Sequence, residues 1–245
     1  MQQTLQHTIS ALGVGRILVA GADTEAFLQG QLTQDLRLLE SNNSLLAGYC
    51  SAKGRLLAVL RLQRTTDGIV LELHRGVLES SLRRLRMFVL RARVTLTELT
   101  SSAAETDDAI WRRAQIEQGI PTIFPATSDH FVPQMCNLDL LGGISYDKGC
   151  YTGQEVVARL HYLGQIKRRM FRARIAAAAN PGQSIFDARG DAQTVGEIVD
   201  SIGDGGVHLS LAVLQLSHAE GDLRLDSRDG PRLTDVVSAA PRAVI

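Results

Sequence analysis

The sequence predicts an α+β fold, in which a ferredoxin-like, split βαβ antiparallel half is followed by a small C-terminal β-barrel. Three observations carry this expectation. Before residue 100 the apolar positions change period in the order strand, helix, strands, helix, strand, as in a split βαβ unit with its helices on one face. Residues 121–147 then break all periodicity with prolines and glycines. After residue 166 the period becomes two, in short runs parted by glycine-rich turns, which is the pattern of a small barrel.

Residues 16–19 form an apolar strand, and Gly21-Ala22-Asp23 leads into a helix with Asp23 as cap and Phe27 and Leu28 inward. Gly13-Val14-Gly15 is not a dinucleotide fingerprint, because it precedes the strand and Leu18 stands where the third glycine should be. Residues 45–50 and 56–62 read as strands around a Lys53-Gly54 turn, and Asp67-Gly68 introduces a hairpin partner at 69–73. Leu78, Leu82, Leu85 and Val89 recur at helical spacing, and Ala92, Val94 and Leu96 then alternate with polar residues as a strand. The polar stretch 100–107 is a linker. The next helix, capped by Asp107 or Asp108, carries Ile110, Trp111 and Ala114 and stops at Gly119, with Pro121 enforcing the end. The barrel strands are expected around Phe171, Ala173 and Ile175, then at 195–202, 207–216 and 223–225. The division is into a first domain at 1–165 and a barrel domain at 166–245.

Composition narrows the function classes. Apolar residues make up 44% of the 245 and charged residues 21%, so neither disorder nor a membrane class is expected. No apolar run is long enough for a membrane span or a secretory signal, which implies a cytoplasmic protein. The 26 basic and 26 acidic residues cancel. With no global field and no recognisable RNA-binding motif, direct nucleic-acid binding is not expected. Arg83, Arg84, Arg86, Arg91 and Arg93, and again Lys167, Arg168, Arg169, Arg172 and Arg174, read as solvated faces ahead of anion sites. Cys50, Cys136 and Cys150 include no C-x-x-C pair, and the six histidines show no H-E-x-x-H spacing, so no metal is expected to be held by this chain alone.

The densest chemistry lies at residues 148–159, KGCYTGQEVVAR. Thr152 followed by Glu155 reads as a capping box, so a helix begins here, with Val156, Val157 and Leu160 as its apolar stripe. Cys150 then lies just outside the first turn, where free amides and the helix dipole favour an anion, and Lys148 adds positive charge; the cysteine is a candidate thiolate. Gly149 and Gly153 shape the turn. A lone cysteine is more often a small buried hydrophobe, and by its spacing Trp111 is more often a core residue.

The string Lys148-Gly149-Cys150-Tyr151-Thr152-Gly153-Gln154-Glu155 resembles the signature of the YgfZ family of folate-binding proteins, relatives of the glycine-cleavage T-protein. The match continues through Pro133-Gln134, Asn137-Leu138, Gly142-Gly143-Ile144-Ser145, Arg159, Gly164 and Lys167-Arg168. Residues 21–35, with Gln31-Leu32-Thr33-Gln34-Asp35, match the family's N-terminal folate-domain signature.

The resemblance implies tetrahydrofolate, or a one-carbon derivative, as cofactor and a role in assembling or repairing iron–sulfur clusters on client enzymes, including tRNA-modifying radical enzymes. It assigns reactivity to Cys150 with Lys148, and folate contacts to Trp111, Tyr151, Gln154 and Glu155, with the sulfur beside the pterin pocket. Three departures from the family pattern stand out. A second aromatic of the family falls near Val14. The α+β segment that full-length members carry between the equivalents of Leu99 and Trp111 is reduced here to a linker. The Asp-Asp pair that T-proteins carry after the equivalent of Gly54 is replaced by Arg55-Leu56-Leu57-Ala58. An aminomethyl or one-carbon transferase of T-protein type is therefore the alternative rather than the first reading, since no carboxylate would stabilise an iminium.

Overall fold

The computed structural model describes residues 13–40, 44–99, 108–190 and 193–240. The linker expected at 100–107, and Asp107 with it, lies outside them. Strands β1 (Val14–Ala20), β2 (Leu45–Cys50), β3 (Leu56–Thr65), β4 (Gly68–His74) and β5 (Thr95–Leu99) form one sheet in the order β2-β3-β4-β1-β5, antiparallel throughout. Helix α1 (Thr24–Gln29) follows β1, and α2 (Arg75–Phe88) follows β4. With β2 set aside as an added edge, the order is that of a split βαβ unit.

Alternation explains how this half packs. Ile17 and Val19 of β1, Leu60 and Leu62 of β3, and Ile69, Leu71 and Leu73 of β4 share one face and are buried against Phe27 and Leu28 of α1 and Val77, Leu78, Leu82 and Leu85 of α2. Each fully buried side chain of this size contributes roughly 1.5–3 kcal/mol of transfer free energy. The interleaved residues Arg16, Arg61, Glu72 and His74 project from the opposite face, towards the second half of the chain. Strand β4 passes into α2 without a loop because His74 is itself the cap, its Nδ1 accepting the Gly76 amide at 3.1 Å.

Helix α3 (Asp108–Gln118) ends where Gly119 takes φ +70°. It buries Gln115 and Ile116, whereas Ile110 is 65% exposed. The long loop to residue 147 is ordered by polar contacts. Leu56 and the loop exchange backbone bonds through Phe131 and Asp129, both at 2.8 Å, and the Asn137 side-chain amide donates to the Met170 carbonyl at 2.9 Å. Helix α4 (Gln154–Tyr162) follows.

The barrel strands are β6 (Arg168–Ile175), β7 (Ser184–Asp187), β8 (Thr194–Asp204), β9 (Val207–Gln215), β10 (Leu223–Leu225) and β11 (Leu233–Ser238), in the order β10-β7-β8-β9-β6-β11. The sheet curls until its edges meet, with Arg224 bridging Arg232 and the Leu225 amide donating to the Pro231 carbonyl at 2.9 Å. Gly205 and Gly206, both at positive φ, make the tight β8–β9 turn. A central core joins the two halves: Cys50, Leu56 and Val59 of the first sheet meet Ile116, Cys136, Val157, Met170, Val199 and Leu211. No helix among the described residues is long and apolar enough to cross a membrane.

Candidate functional site

The cysteine box is anchored from within the first half of the chain. Residues 31–35 and 142–145, two segments of the sequence signature, are bonded to each other. The Thr33 hydroxyl donates to the Gly143 carbonyl at 2.6 Å, the Ser145 amide donates to the Thr33 carbonyl at 2.9 Å, and the Gln34 amide donates to the Gly142 carbonyl. Lys148 completes this clamp. Its Nζ donates to the carbonyls of Gln29, Leu32 and Gln34 at 2.8, 2.7 and 2.8 Å and lies 5.2 Å from the centre of the Tyr151 ring. Burial lowers its pKa to about 8. The positive charge expected near Cys150 is thus directed into the clamp, where all three ammonium protons are taken by backbone oxygens.

The capping box is corrected too. The N-cap of α4 is Gly153 at φ +83°, with no side-chain cap bond, so Thr152 comes one residue too early for its hydroxyl to cap the helix. The Gln154 side-chain oxygen instead accepts the Tyr151 amide at 3.2 Å, and Glu155 is exposed. Gly153 presses on the β2–β3 turn, where a Cβ would come within 2.4 Å of the Ser51 carbonyl. Of the three cysteines, Cys150 is exposed, while Cys50 and Cys136 are buried. Burial pushes the Cys50 thiol up to about 12 and Cys136 higher still. Among the described residues no cluster of three or more His, Cys, Asp or Glu could hold a metal.

Trp111 belongs to a separate place. It is half-buried and lines a narrow cleft on the open face of the first sheet together with Arg61, Glu72, His74, Gln115 and Thr122. His74 stacks towards it at 6.4 Å and 26° and meets Phe124 at 4.3 Å. Burial lowers the His74 pKa. Glu72 accepts from Arg16 at 3.0 Å, whereas the Arg61 side chain has no ionic or hydrogen-bonding partner among the described residues. Arg112, next to Trp111, is anchored to the fully buried Asp200 of β8 at 3.0 Å and covers Phe124. None of Lys148, Gly149, Cys150, Tyr151, Gln154 or Glu155 lines this cleft. Among the described residues the cysteine box and the indole therefore border different hollows: Gly149 lines one of about 300 Å³ with Gln29 and Arg37.

Sequence reasoning passed over His74, Phe124, Arg61 and Glu72. The signal available was polar residues alternating with leucines in the middle of β3 and β4, where one face is already apolar. Val14 lies opposite His74 in the sheet register, so the position of the family's second aromatic is next to the cleft, and His74 and Phe124 supply rings there.

The two-sheet architecture has the fold of the glycine-cleavage T-protein. The aminomethyltransferase T of the glycine cleavage system from Bartonella henselae superposes with a TM-score of 0.56 over 94% of this chain and 86% of that one, at 13% identity. No family model matches the chain. The tRNA-modifying protein YgfZ of Escherichia coli strain SE11 is 31% identical over 62% of this chain and 67% of its own length, and that of Colwellia psychrerythraea is 30% identical over 64% and 68%. YgfZ of Edwardsiella ictaluri is 29% identical over 296 aligned positions, 92% of this chain and 89% of that relative; since 296 exceeds 245, the alignment opens gaps in this chain. The chain belongs to the YgfZ family.

Proposed function

We propose that this chain is a tetrahydrofolate-binding accessory protein for assembly or repair of iron–sulfur clusters in client enzymes, including tRNA-modifying ones, and that Cys150 is the group presented to the client. The observation that carries this reading is the exposure of Cys150 in the turn that precedes α4, a turn fastened on two sides, by the Lys148 clamp and by Gly153 against Ser51. Such a thiol can ligate a cluster transiently or exchange with another thiol. A cluster takes about four ligands, so the client or a second copy supplies the others.

The Trp111 cleft has the chemistry for a reduced folate. Trp111 and His74 offer ring faces, Glu72 and Gln115 offer a hydrogen-bonding edge, and Arg61, whose side chain has no partner among the described residues, offers a cation for the carboxylates of the tail. Its cavity volume is only about 20 Å³, room for roughly one water, so the Trp111–His74 pair must part to admit the ring. When bound, a reduced folate supplies a carrier for one-carbon units. Cys150 does not reach into that cleft, so folate occupancy acts on the cysteine through the shared core and not by direct contact.

The one-carbon transferase alternative is weakened by the residues after Gly54. Leu56 and Ala58 are buried, and Arg55 donates outward to the His130 carbonyl at 2.7 Å. The test is complementation of a strain lacking its own YgfZ. Cys150→Ser should fail to restore the activity of iron–sulfur tRNA-modifying enzymes that the wild-type chain restores. Equal restoration by both would contradict the proposal.

A further inference from the structure

The far end of α4 carries a surface that the reading above does not use. Tyr146 and His161 stack at 3.7 Å and 13°, and Tyr162 stands edge-on to both at 69° and 78°. Neither neighbouring ring lies parallel on Tyr162, and the residue is 63% exposed. Three cations flank it in the sequence, Arg159 one turn earlier on the helix and Lys167 and Arg168 just beyond, and none of their side chains has an ionic or hydrogen-bonding partner among the described residues. Leu160, Ile166 and Met135, with Gln165, Lys167 and Arg168, line an adjoining hollow of about 230 Å³, space enough for a flat base.

We propose that this surface binds single-stranded RNA, with Tyr162 as a stacking platform for a base, the hollow beside it taking a neighbouring base, and Arg159, Lys167 and Arg168 on the phosphates. An aromatic face flanked by unpaired cations is the minimal recipe for sequence-tolerant binding of a single strand. Zero net charge removes long-range attraction but leaves this local field intact. The carboxylates closest in sequence, Asp147 and Glu155, form no ion pair with the three cations. An acidic protein segment could satisfy the cations, but it would leave the open face of Tyr162 without its natural complement, a second planar ring. The choice of RNA over DNA rests on the reading above; the surface chemistry itself is independent of folate and of Cys150.

The test is fluorescence anisotropy of a labelled uridine 12-mer titrated with the full chain. Saturable binding at 50 mM salt is expected. With three phosphate contacts, affinity should fall about 20-fold by 200 mM. Tyr162→Ala should weaken binding by about 5- to 150-fold, and the double variant Lys167→Ala/Arg168→Ala should cut the logarithmic salt slope from about 2 to below 1. Tetrahydrofolate binding and melting temperature should be unchanged in both variants, which separates this site from the folate reading. Absence of saturable binding at 50 mM, or full affinity in Tyr162→Ala, would overturn the proposal. So would competition by a glutamate-rich peptide as effective as the RNA itself, which would make the surface a dock for acidic protein.

Discussion

The ammonium of Lys148 lies 2.7 Å from the carbonyl oxygen of Leu32, and this contact, repeated at Gln29 and Gln34, ties the cysteine box to the first half of the chain. Lys148→Met leaves three inward-facing carbonyls without their donor. The expected loss is about 2–5 kcal/mol in urea unfolding. The pH dependence has a definite sign. Between about 8 and 10.5 the unfolded chain still holds the lysine proton that the folded chain has lost, so this group's contribution to stability rises with pH across that window. The stability gap between wild type and Lys148→Met should therefore widen from pH 7.5 to pH 10; a gap that narrows or stays constant would contradict the assignment.

Gly153→Ala combines a positive φ with a Cβ driven to within 2.4 Å of the Ser51 carbonyl. The left-handed conformation alone costs about 1 kcal/mol, and the close approach adds to it. We expect a total of about 2–4 kcal/mol, with faster proteolysis around residue 150, measured by limited digestion. A variant as stable and as resistant as wild type would refute the role of this turn.

Arg112 and Asp200 join α3 to the barrel at 3.0 Å, and Asp200 is fully buried. Arg112→Met should destabilise by about 3–5 kcal/mol because it leaves a buried carboxylate unpaired. It should also red-shift the emission of Trp111, the single tryptophan. Adding Asp200→Asn should recover part of the stability. Thermal melts and emission spectra of the three chains decide this.

Thiol counting checks the burial pattern. Ellman's reagent should titrate one thiol in the folded protein, absent in Cys150→Ser, and three in guanidinium, because Cys50 and Cys136 are enclosed in the central core. Two or three fast thiols in the native protein would contradict the fold around β2 and the loop.

Much of the architecture was legible because periodicity reports burial directly. The strands around Ile17, Leu60 and Leu71 and the helix carrying Leu78, Leu82 and Leu85 fall where alternation and helical spacing put them. β7 and β11 were missed: the first has four residues, and the second buries only Leu233 of its six, so neither shows a usable period. The Thr152/Glu155 pattern misled because it does not encode the left-handed φ of Gly153, which shifts the cap by one residue. Which sheet face Trp111 reaches was not readable either, since that depends on how α3 docks through Arg112 and Arg113 onto β8.

The proposed function requires that the cleft around Trp111 bind reduced folate. The most direct measurement is the emission of that indole during titration with tetrahydrofolate, with Trp111→Phe and an extrinsic probe as control. Saturable quenching is expected in the wild type, weakened by Arg61→Ala and by His74→Ala but not by Cys150→Ser. Emission that does not change saturably, or quenching indifferent to Arg61 and His74, would contradict it.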